Sequence, residues 1–65
     1  MSEVEIRGLV DSINHLEAVR ILLVHLNNET NLTMLRHKTI LQIMVTACEF
    51  LVNSIRIIER DLRIS

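Results

Sequence analysis

Proline, tryptophan and tyrosine are missing from this chain of 65 residues, and glycine, cysteine and phenylalanine occur once each. Each shortage excludes something. One glycine, Gly8, and no proline leave too little turn punctuation for a β-sandwich or a series of hairpins. A lone cysteine, Cys48, cannot staple a small domain through disulfides. The near-absence of aromatic rings removes the stacking platforms that single-stranded nucleic acid uses. A net charge of −1, from seven Lys plus Arg against eight Asp plus Glu, gives no strongly basic surface either, so nucleic acid is disfavoured as a partner. The longest unbroken apolar run is Ile21-Leu22-Leu23-Val24. A spanning helix wants about 18 such residues, so no membrane segment is expected.

What is present is apolar side chain in quantity. It makes up 49% of the chain, which with the low net charge argues against disorder. The length allows one small domain, residues 1–65. The opening Met1-Ser2-Glu3-Val4-Glu5 is acidic where a signal peptide is basic. Together with the single cysteine, this makes the cytoplasm the expected location.

The periodicity is helical throughout. Ser2 and Glu5 have capping-box spacing, and Met1 with Ile6 has the spacing of a hydrophobic staple. Ile6, Leu9, Val10, Ile13 and Leu16 recur at steps that place them on one helical face. Ala18 to Leu26 is then apolar nearly all round, interrupted by Arg20 and His25. Asn27-Asn28-Glu29-Thr30-Asn31 breaks the pattern with residues that favour caps and turns, and Thr30, Asn31 or Thr33 would cap a second helix. The expected elements are helix 1 over 2–26, a turn over 27–32 and helix 2 over 33–63. A turn that short makes the helices antiparallel, and the longer helix 2 is expected to overhang at residues 57–64.

Helix 2 carries the strongest pattern. Met34, His37, Leu41, Met44, Cys48, Leu51, Ile55, Ile58 and Leu62 alternate steps of three and four, the a and d positions of a heptad. A second seam of Ile40, Ile43, Ala47, Phe50, Ser54, Ile57 and Ile64 runs beside it. Val45 and Val52 widen the opposite flank. Polar residues such as Gln42, Glu49, Asn53 and Arg56 are confined to two heptad positions. The apolar arc then spans about 250°, whereas one packed neighbour covers a stripe of about 100° or slightly more. The remainder calls for a second chain. The expected fold class is therefore all-α, an antiparallel two-helix hairpin that packs into a helical bundle with another chain. The expected partner interface is Leu41, Met44, Phe50, Leu51, Ile55, Ile57, Ile58 and Leu62.

Chemistry-bearing patterns are sparse. No two of His15, His25 and His37 have i,i+4 spacing, and no Cys–His pair has zinc-ligand spacing. Cys48 reads as a buried structural thiol. Arg20 and His25 have the Arg-x4-His spacing of the HEPN ribonuclease motif, but the chain has no room for the other helices of that fold. Arg36-His37-Lys38 is the one basic cluster and reads as a solvated turn edge, with an acidic partner or RNA as the sharper alternative. Glu59 and Arg63 have the spacing of an i,i+4 ion pair. No catalytic residue, metal site or cofactor is expected.

The run Leu41-Gln42-Ile43-Met44, then Leu51, then Ile55-Arg56-Ile57-Ile58 resembles the second helix of a family of small helical-hairpin proteins. These are the co-chaperones that, with a repeat-type helical partner, hold the needle subunit of bacterial type III secretion systems in the cytoplasm. Members of that family often have aromatic residues at the positions of Leu41 and Met44, and a glycine where this chain has Asn27 and Asn28. The resemblance implies stoichiometric protection of an export substrate, with the hairpin bracing a larger chaperone. The alternative is a homodimeric four-helix-bundle regulator of plasmid, phage or stress type. It would act through RNA, DNA or protein, and its architecture resembles the plasmid copy-number repressor that organises RNA.

Overall fold

A computed structural model describes residues 3–29 and 35–64 and shows two helices, α1 (Glu3–Asn27) and α2 (Leu35–Ile64), packed against each other as a hairpin. The expected caps at Ser2, Thr30, Asn31 and Thr33, the staple residue Met1 and the seam residue Met34 lie outside the described residues. At its C-terminal end α1 tightens. Asn28 N–H donates to the carbonyls of both Val24 (3.1 Å) and His25 (3.2 Å), and Glu29 N–H donates to that of Leu26 (3.1 Å). The i→i−3 bonds satisfy carbonyls that a helix end leaves orphaned.

The helices meet along one line of α2: Leu41, Val45, Cys48, Val52, Ile55, Glu59 and Leu62, all buried or half-buried. Val45, Cys48 and Val52 are among the five buried apolar side chains of the described residues, with Ile13 and Leu23 from α1. Leu16, Val19, Val24 and Leu41 pack around the cluster of Leu23, Val45 and Cys48. This decides which flank of α2 meets α1, a point the sequence leaves open, and it moves Leu41, Ile55 and Leu62 from the expected partner interface to the inner packing. Leu41, Cys48, Ile55 and Leu62 do lie on the inner line. Their alternating partners there are Val45, Val52 and Glu59, while Met44, Leu51 and Ile58, the other flank of the heptad pattern, face away from α1. Those three stay 43%, 46% and 51% exposed. A heptad seam can be drawn along either side of these same four residues, and the side with Val45 and Val52 faces α1.

The register corrects the overhang as well. Asn27 Nδ2 donates to Gln42 Oε1 (3.4 Å), Leu26 shares a groove with His37, Ile40 and Leu41, and Leu23 packs with Val45 and Cys48. Each step back along α1 is a step forward along α2. Continuing it sets Ile13 near Ile55 and Ile6 near Leu62, so the far ends are nearly flush. The extra length of α2 instead projects past Asn27 at the loop end.

The result is a rod. Its Cα envelope is 48 × 14 × 11 Å, with a radius of gyration of 15.0 Å, where a compact 65-residue domain has about 11 Å. Its accessible surface is 5066 Å², where a compact monomer of this mass has about 4,250 Å².

Candidate interaction surface

Most of the exposed large apolar side chains lie on α2. Ile40, Ile43, Phe50 and Ile57 are 46%, 63%, 70% and 51% exposed, and Ala47 between them is exposed too. Their alternating spacing makes a second straight line along the helix, roughly 140° round from the inner line at 100° per residue. Met44, Leu51 and Ile58 fill the angle between the two lines. On α1, Ile21 and Leu22 are also more than half exposed. A groove of about 320 Å³ formed by Leu26, His37, Ile40 and Leu41 joins the two helices near the loop end, so the apolar surface passes from α2 onto α1 there.

Five of the eight residues expected to meet a partner, Met44, Phe50, Leu51, Ile57 and Ile58, lie on this open surface. Leu41, Ile55 and Leu62 are half-buried on the inner line instead. Sequence reasoning leaves Ile40, Ile43 and the α1 residues Leu22 and Leu26 out of the interface. The signal for Ile40 and Ile43 is present in the sequence, since they belong to the second heptad seam.

Polar residues border the surface. Thr46 Oγ1 donates to the Gln42 carbonyl (3.0 Å) and Ser54 Oγ to that of Phe50 (2.9 Å). On the flank away from the apolar groove, Asn27, Lys38, Thr39, Gln42, Ile43 and Thr46 line a wetter one of about 550 Å³. Asn27 Oδ1 is buried there without a hydrogen-bond partner. Ion pairs are local to each helix: Glu17–Arg20 (3.3 Å), His25–Glu29 (3.5 Å), Arg60–Asp61 (3.6 Å) and Glu59–Arg63. Arg20 and His25, which have the ribonuclease-motif spacing, are thus each engaged by a neighbouring carboxylate.

The groups able to do chemistry are dispersed. Among the described residues, no three of the His, Cys, Asp and Glu side chains gather where they could hold a metal ion. Cys48 is a free thiol buried between the helices. His15, His25, His37 and the flanking Arg36 and Lys38 are all exposed.

By length and composition α2 passes as a membrane-crossing helix, with a mean hydropathy of 1.5 over an 18-residue window of which 17% is buried in the hairpin. Scattering the apolar residues hides this from a search for unbroken runs. Glu49, however, stands near the middle of α2, where insertion of a charged side chain costs about 2.5–3.5 kcal/mol. Gln42, Thr46, Glu49, Asn53, Arg56, Arg60 and Arg63 also share one side of the helix, as polar residues do on a helix that is apolar towards protein and polar towards water. Comparison with protein-family models, curated proteins and solved structures found no match.

Proposed function

We propose that this chain is a non-enzymatic interaction module whose outer α2 face seats another helical chain. One observation carries the reading. An exposed, mostly apolar line of Ile40, Ile43, Ala47, Phe50 and Ile57, with Phe50 at 70% exposure, runs along the middle of a helix already packed on another side. Contiguous apolar patches beyond a few hundred Å² are rare on soluble monomers and mark interaction sites. Chains this short also seldom bury enough to stand alone.

Two forms of the module are open to test. The likeness of α2 to the needle-subunit co-chaperones suggests a cytoplasmic brace that packs on a larger helical chaperone and helps hold an export subunit. The competing form is a homodimeric four-helix bundle acting as a regulator. In both, the apolar line supplies the binding free energy, since large apolar side chains are worth roughly 1.5–3 kcal/mol each when fully buried.

Phe50→Trp gives the direct test. Tryptophan emission at this position shifts to shorter wavelength when a second chain covers it, whether that chain is a copy or a co-expressed product of a neighbouring gene. Water-like emission from a helical protein at millimolar concentration, unchanged by any candidate partner, would overturn the proposal.

A further inference from the structure

We infer that the outer face closes on a second copy of this chain, α2 against α2 antiparallel, about a two-fold axis passing midway between Cys48 and Glu49. The inference rests on the reading of this face as a helix-docking surface. It adds the occupant and the register.

The first support is the pattern on the line itself. Continued by the same steps, the outer line begins in α2 at Arg36 and passes through Asp61 to Ile64. In a two-fold interface each residue meets its mirror position on the partner. With the axis at this point, Arg36 faces the partner's Asp61, Ile40 faces the partner's Ile57, Ile43 faces the partner's Ser54, and Ala47 faces the partner's Phe50. Charge meets opposite charge, and isoleucine meets isoleucine. The largest side chain on the line meets the smallest apolar one, which leaves room for the ring. All three matches arise from one choice of axis. Within one chain Arg36 and Asp61 are about 37 Å apart along the helix, too far to pair. Arg36 makes no ion pair among the described residues, and the Asp61 carboxylate is held at 3.6 Å by Arg60, both side chains being about two-thirds exposed. That pair leaves carboxylate capacity for a second cation.

The second support is apolar cover. Ile40, Ile43, Phe50 and Ile57 are each 46–70% exposed on one line, so two copies meeting there cover eight large apolar side chains. The third is the state of the one hydroxyl on the line. Ser54 Oγ already donates to the Phe50 carbonyl, so covering it does not strand a donor.

Charge exchange tests the register. In sedimentation equilibrium the native chain has twice the 7.5 kDa of a single copy. Arg36→Glu and Asp61→Arg each weaken dimerisation about ten-fold, because two pairs per dimer become repulsive. The double variant regains the native affinity within about two-fold. These positions are exposed and lie near the ends of the line, so helicity by circular dichroism is the same in all four proteins. Phe50→Asp raises the dissociation constant by more than about a hundred-fold.

Three results would overturn the inference. A dimer whose double variant is weaker than either single variant has another register. The other two use the Phe50→Trp chain and its emission. If that chain stays at single-copy mass at millimolar concentration, while a co-expressed chain covers its tryptophan, the docking surface stands and self-pairing is removed. If it stays at single-copy mass and only phosphatidylcholine vesicles cover the tryptophan, both readings are removed, and the face is a lipid surface.

Discussion

The inner and outer lines of α2 are both apolar heptad lines on one helix, yet they differ in side-chain size. Val45, Cys48 and Val52 occupy the centre of the inner line and are 2–8% exposed. Ile43, Ala47 and Phe50 occupy the centre of the outer line and are open to water. Small, stiff side chains let two helices approach closely enough for few residues to be fully buried. The large ones are left where a single short partner helix cannot reach them. At the middle of α2, valine and cysteine face α1 while Ile43 and Phe50 stay outside, where a second chain can cover them.

That contrast can be broken at its strongest point first. Val52→Asp puts a charge where exposure is 2%, with no cation on the inner line to pair with it. An unpaired buried charge is disfavoured by more than a hairpin of this size can offset. The expected result is loss of helical circular dichroism at every protein concentration. Retained helicity would show that α1 does not cover Val52.

Leu51→Asp sharpens the comparison, because Leu51 is the adjacent residue but 46% exposed. Its carboxylate can reach water in the single hairpin, so the inner packing survives. Association is what suffers, seen as a mass at the single-chain value. If Leu51→Asp unfolds the chain at concentrations where the native protein is a single copy, the seam drawn through Leu51 is the true inner one.

The smallest effect is expected away from both lines. Gly8 lies inside α1, has no positive φ, and a Cβ there meets nothing within 4 Å. No turn or close approach requires a glycine. Gly8→Ala should stabilise the hairpin by about 0.5–1 kcal/mol through helix propensity, read as a higher midpoint of urea unfolding. A loss of association in this variant would extend the docking surface along α1.

Much of the fold is legible in the residues. The break at Asn27-Asn28 separates two helical periods, and the structure ends α1 at Asn27. Cys48 reads as an inside residue and is buried. Glu59 and Arg63 match at i,i+4 and form an ion pair. The errors share one cause. Periodicity locates apolar lines on a helix, but it does not say which line meets which neighbour. Leu41, Cys48, Ile55 and Leu62 fit a seam with Met44, Leu51 and Ile58 as well as one with Val45, Val52 and Glu59.

By itself the sequence determined two amphipathic helices and an apolar circumference on α2 wider than α1 can cover. Spacing and composition suffice for that, because helix period and side-chain hydrophobicity are local properties. Only the tertiary structure decided that the valine line turns inward, that Phe50 and Ile43 stay in water, and that the extra length of α2 projects at the loop end. Those depend on how closely two backbones approach and on the register at which they lock, and both belong to the pair of helices.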